Sequence, residues 1–109
     1  MSNKYAWVWN VKEECVQEYV KMHLNPWPEI MKAHSAAGIR NYSIFQNGTQ
    51  FFYEFECDGD PAEAFAKMTN DPDCIRWNSI TSKMLDIESM KNDDLNTGLK
   101  FLREVFYLG

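Results

Sequence analysis

A chain of 109 residues has room for a single domain over 1–109, burying roughly 60–70% of the surface its unfolded form would expose. Eleven basic against sixteen acidic side chains give a formal net charge of −5; no basic field exists for a phosphate backbone or an anionic membrane, so neither nucleic acid nor membrane is an expected partner. No apolar run reaches the ~18 residues of a membrane span, and the start MSNKYAWVWN lacks the basic region, apolar stretch and cleavage site of a secretory leader, so the expected compartment is cytoplasmic.

KYAWVWNV alternates Tyr5, Trp7, Trp9 and Val11 with Ala6 and Val8, the period of a strand with both faces buried. From Lys12 the period changes to that of an amphipathic helix, with Glu13 and Glu14 in the first turn and Cys15, Val16, Tyr19, Val20 and His23 on one side. Asn25-Pro26-Trp27-Pro28 breaks that helix just after His23, and a new one starts at Pro28-Glu29 and runs to about Ser35. Ala36-Ala37-Gly38 ends it. Arg40 to Gln46 and Gln50 to Glu56 are strands joined as a hairpin through Asn47-Gly48. A short helix from Ala62 to Met68 and a longer one from Asp71 to about Leu85 follow, each with a proline in its first turn. Ile87 to Lys100 reads as a loop and Arg103 to Leu108 as a last strand.

Strand, helix, strand, strand, helix, strand is the βαββαβ order of the ferredoxin-like split βαβ, an α+β fold whose antiparallel sheet carries helices on one face. Tyr5, Trp7 and Trp9 share one side of the first strand, and Phe51, Tyr53 and Phe55 one side of the third. Aromatic residues make up 15% of the chain, more than a small core needs. This aromatic side is therefore assigned to the uncovered face of the sheet, where a second subunit packs or a cavity lies beneath it.

Cys15, Cys57 and Cys74, odd in number and widely spaced, fit neither a disulfide framework nor a zinc site. With two histidines outside any Cys/Asp cluster, no metal site is expected. Tyr19 and His23 lie four apart on a helix, so an imidazole that titrates near neutrality and a phenol that donates or accepts can meet one ligand. The same spacing also serves ordinary packing. His34 is read as a partner of its helix's carbonyl ends. Trp27 and Trp77 are either sugar-stacking platforms or core rings.

The run EYVKMHLNPWPEI, followed by RNYSIF, DPDCIRW and EVFYL, resembles the L-rhamnose mutarotase family in order and spacing over nearly the whole chain. The resemblance implies a homodimeric ferredoxin-like protein of the dimeric α/β-barrel type. It implies a cofactor-free isomerase that interconverts the α and β anomers of a 6-deoxy monosaccharide by opening and closing its ring. It places the proton-donating histidine at His23, substrate-binding tyrosines at Tyr19 and Tyr42, and the binding pair of the late helix at Trp77 and Asn78. Two features depart from the family. Asn78 stands where a second tryptophan is usual, and Ile87 to Lys100 lacks the usual proline-containing segment; both bear on whether L-rhamnose or L-fucose is preferred. A non-catalytic ligand-binding module and a monooxygenase on the same dimeric scaffold are the competing readings.

Overall fold

Three strands pair in the order β1-β3-β2, all antiparallel, in a computed structural model that describes residues 3–88 and 100–109. The strands are β1 (Lys4–Asn10), β2 (Ile39–Asn47) and β3 (Gln50–Cys57). Between β1 and β2 the chain makes a 3₁₀ turn (Glu13–Cys15), α1 (Val16–Leu24) and α2 (Pro28–Ala36). After β3 come α3 (Pro61–Thr69), α4 (Pro72–Thr81) and a 3₁₀ turn (Ser82–Met84). This is the α+β, ferredoxin-like arrangement, with its helices on one face of the sheet. Among the described residues no helix is long and apolar enough to cross a membrane.

The breaks fall where the backbone requires them. α1 ends at Leu24, and α2 restarts with Pro28 in its first turn, where a missing N–H costs nothing. Gly38 stops α2 at φ +91° and donates to the Ser35 carbonyl. Asp60 caps α3 by accepting from the Ala62 N–H at 3.1 Å. Gly48, at φ +64°, fills the first position of the two-residue loop joining β2 to β3.

The aromatic side of the sheet is the helix-covered one, contrary to the assignment made from alternation. Trp7, Phe51, Tyr53 and Phe55 are buried together with Tyr19 of α1, Ala64 and Met68 of α3 and Trp77 of α4. Trp7 stacks parallel on Tyr53 at 4.7 Å, and Phe65 of α3 closes on Phe55 at 5.5 Å. Alternation separates two sides of a strand but does not say which one the helices take; the larger apolar side wins because its burial stabilises most. The uncovered side carries Ala6, Val8, Ser43, Phe45 and Phe52, with Val8, Phe52 and Phe45 in one cross-strand row. On β1 only Trp7 is buried, and Tyr5 and Trp9 on its side, like Ala6 and Val8 on the other, are half-buried.

The end of the chain also departs from expectation. Residues 100–109 return beside the outer edge of β1, where the last strand of a split βαβ belongs: Leu102 N–H donates to the Ala6 carbonyl at 2.7 Å, and the Phe101 ring meets Tyr5 at 5.5 Å. No ladder follows, and Arg103–Leu108 forms no strand. Val105, Phe106 and Leu108 are 77–80% exposed. Residues of high strand propensity become a strand only where their backbone is paired, and here pairing stops after one bond. The loop expected from Ile87 to Lys100 falls largely outside the described residues.

Candidate active site

A cavity of about 600 Å³ opens between α1, α2, β2 and Trp77 of α4, within the range that takes a small ligand. Val20, Leu24, Ile30, Met31, Ile39, Ile44 and Phe51 give it an apolar wall, and His23, His34, Arg40, Asn41, Tyr42 and Gln46 supply polar groups. The helix break lets both histidines reach it, His23 from the last turn of α1 and His34 from the last turn of α2.

The His23 Nδ1 lies 2.7 Å from the Tyr19 carbonyl, one helical turn back. A carbonyl only accepts, so Nδ1 carries the proton and the neutral ring keeps its lone pair at Nε2. Burial lowers the His23 pKa, and the bond to the Tyr19 carbonyl opposes that shift. The group is therefore a neutral imidazole at pH 7 with a basic Nε2. Tyr19 backs it at 4.4 Å and the Trp77 edge meets it at 5.4 Å.

Three phenols cluster behind and beside this ring. Tyr19 and Tyr53 share a hydrogen bond of 2.5 Å between their hydroxyls. Burial pushes the Tyr19 pKa up to about 12, against the lowering effect of that bond. Desolvation of its hydroxyl, with the Tyr19 phenol second, raises the Tyr42 pKa, although Tyr42 as a residue keeps 38% of its surface. All three stay neutral near pH 7 and act as hydrogen-bonding hydroxyls.

Tyr42 reaches the cavity because β2 carries an extra residue. Arg40 pairs with Glu56 and Ser43 with Glu54, so Asn41 and Tyr42 together oppose Phe55 alone. Asn41 sits at φ +50°, in the left-handed region, and its amide donates to Glu56 Oε1 at 3.1 Å. Without this bulge, strict alternation from Ile39 turns Tyr42, Ile44 and Gln46 to the uncovered side. With it, Ile39, Tyr42, Ile44 and Gln46 all line one cavity.

Of the residues expected at the site, the structure brings His23, Tyr42 and Trp77 together at the cavity. Tyr19 is 3% exposed and lies behind His23, holding Tyr53 and supplying the carbonyl that fixes the imidazole. Asn78 is exposed on α4 and does not line this cavity. Neighbouring residues on a helix point about 100° apart, so Trp77 facing inward turns Asn78 outward. Trp27 meets the Trp77 ring edge-on at 5.0 Å and lies under Arg76 at 4.9 Å, which makes it an anchor of the helix break. His34 does bond a helix carbonyl, that of Ile30 at 2.8 Å, yet it also lines the cavity. Tyr53 went unnoticed as a polar group; the signal was a phenol in the middle of an apolar stripe, whose hydroxyl needs a partner once buried.

The family model of L-rhamnose mutarotase matches residues 4–108. An L-rhamnose mutarotase of Shouchella clausii is 30% identical over 106 residues, covering 94% of this chain and 95% of the relative. A UPF0734 protein of Dictyostelium discoideum is 36% identical over 74 residues, covering 65% of this chain and 59% of that protein. Among solved structures, an L-rhamnose mutarotase from Formosa agariphila matches with a TM-score of 0.74 at 20% identity, over 99% of this chain and 100% of that one, a likeness of fold. The chain belongs to the L-rhamnose mutarotase family and is an isomerase of the mutarotase type.

Proposed function

We propose that this chain interconverts the α and β anomers of L-rhamnose, with no cofactor in the reaction. One observation carries the reading: a neutral imidazole, tied at Nδ1 to the Tyr19 carbonyl, keeps its basic Nε2 for a cavity walled by apolar and hydrogen-bonding groups. Ring opening moves the proton of the anomeric hydroxyl to His23 Nε2 and another proton to the ring oxygen. The bond from C1 to the ring oxygen breaks as the aldehyde forms. Rotation about C1–C2 presents the other face, and closure returns both protons. His23 thus becomes the proton donor that the family resemblance implies after first acting as acceptor. Tyr42 binds a sugar hydroxyl, and Trp77, edge-on to His23, bounds the site. A positioned acid or base typically contributes 10²–10⁴-fold.

Saturation-transfer NMR of anomeric exchange, run on L-rhamnose, L-fucose and other free sugars, tests this reading. Acceleration with L-rhamnose supports it, and faster exchange of L-fucose reassigns the substrate. Binding without exchange makes the chain a ligand-binding module, while oxygen consumption makes it a monooxygenase. Exchange is expected to survive dialysis against chelator.

A homodimer joined through the uncovered sheet face belongs to the same proposal. Phe45, 61% exposed, continues the row of Phe52 and Val8 there, and burying that row against a second copy removes apolar surface from water. Sedimentation is expected to give twice the chain mass for the wild type and the chain mass for Phe45→Glu. The three unpaired thiols of Cys15, Cys57 and Cys74 favour a reducing, cytoplasmic setting.

A further inference from the structure

Mutarotation needs two proton transfers at atoms bonded to the same carbon, and His23 presents one nitrogen. The anomeric oxygen and the ring oxygen lie in different directions from C1, so a single Nε2 serves both only by moving or through a relay. The wall of the cavity holds a second imidazole in the same local geometry. His34 donates from Nδ1 to the Ile30 carbonyl at 2.8 Å, one turn back on α2, as His23 does to Tyr19 on α1. Among the described residues its Nε2 has no protein partner, and its ring lies 5.5 Å from that of Tyr42. The two rings enter one cavity from different helices, each with Nδ1 committed and Nε2 available.

We propose that His34 is the second proton-transfer residue of the reaction, acting at the ring oxygen while His23 acts at the anomeric hydroxyl. The inference rests on the mutarotase reading and extends it. In opening, His23 Nε2 takes the hydroxyl proton, the C1–O1 bond becomes the aldehyde double bond, and the electrons of the breaking C1–ring oxygen bond pass to that oxygen. The imidazolium form of His34 gives its Nε2 proton to the same oxygen. Closure reverses both transfers, so the protons balance and no further reactant is needed. The ionisable groups nearest this chemistry are His23, Tyr42 and Arg40 of the cavity wall, and Arg40 is engaged by Asp58 and Glu56. On α4, Arg76 pairs with Asp73 and also with Glu29 at the opposite end of α2.

The test is His34→Asn, whose amide keeps a donor for the Ile30 carbonyl and deletes Nε2. Anomeric exchange of L-rhamnose is measured for wild type and variant, with kcat and KM separated and folding followed by circular dichroism. The expected result is a kcat lowered about 10²-fold with KM nearly unchanged. An unchanged kcat overturns the proposal, and so does a loss confined to KM, which makes His34 a binding group. If His34→Asn does not fold, His34→Gln takes its place under the same criteria. In wild type, the ¹⁵N resonance of His34 Nε2 is expected to shift when L-rhamnose is added, and a resonance that stays fixed also overturns the proposal. Failure of the wild type to exchange any sugar removes the mutarotase reading itself, whereas exchange that survives loss of His34 Nε2 removes this inference alone.

Discussion

The hydroxyls of Tyr19 and Tyr53 meet at 2.5 Å between α1 and the middle of β3, each phenol buried and each the other's partner. Because Tyr19 also backs His23, this bond ties the helix that carries the imidazole to the sheet. Tyr19→Phe leaves the Tyr53 hydroxyl buried with its partner gone and is expected to cost about 1–3 kcal/mol in urea unfolding. Tyr53→Phe costs a similar amount. The double variant should cost less than the sum of the two, since no orphaned hydroxyl remains.

The pH dependence of stability follows from His23. Its folded pKa is lowered by burial, whereas the unfolded histidine titrates near 6.5. Between those two values the unfolded chain binds more protons, so the stabilisation is complete above about pH 6.5 and declines as pH falls toward the folded pKa. The difference in unfolding free energy between wild type and His23→Asn is expected to shrink over that interval. A difference that holds constant with pH removes the assignment. The acid limb of kcat should likewise lie below 6.5, because His23 must be neutral to accept the anomeric proton.

Asn41 provides a test of positioning. A β-branched residue at φ +50° is strained by about 1–2 kcal/mol, which favours straightening β2 and turning Tyr42 out of the cavity. Asn41→Val is expected to raise KM for L-rhamnose while Asn41→Gly, which tolerates that φ, keeps it near the wild-type value. In a Tyr42→Phe background the valine should add little further. Additive effects would show that the bulge matters for stability alone.

Asn78→Trp should leave the ratio of L-rhamnose to L-fucose exchange rates unchanged, because this side chain is exposed on α4. A ratio that moves tenfold would place Asn78 in the sugar site after all. The exchange measurement on the two sugars decides it.

Much of this was legible in the sequence because it is local. Pro28, Pro61 and Pro72 open helices, Gly38 closes one, and Gly48 makes the hairpin, each through its own backbone constraint. His23 at the cavity follows from helical spacing and the break beyond it. The side of the sheet taken by the helices was not legible, since alternation is symmetric until packing partners are known. The terminal strand failed for a related reason: EVFYL has the propensity, but its pairing is not a property of those five residues. The exposure of Asn78 was not legible, because the family resemblance carries over position in the chain but not the direction of a side chain on α4. The bulge at Asn41 left no mark in the hydrophobic pattern, since Tyr42 reads equally well on either side of a regular strand.

That bulge also changes how this strand should be aligned with others. Up to Arg40 the odd-numbered positions of β2 face the helices, and from Tyr42 onward the even-numbered ones do. A relative of equal length whose strand runs straight through this point can match every letter on both flanks and still present its tyrosine to the outside of the sheet, whereas one shorter by the bulged residue keeps it inside by plain alternation. Loss of the bulge at constant length therefore weighs more than several substitutions elsewhere in the strand, because it reassigns a whole segment from one face to the other. Whether the residue at this position can adopt the left-handed backbone of Asn41, or is missing altogether, is, more than percentage identity along β2, the criterion by which a homologous strand can be said to build the same pocket.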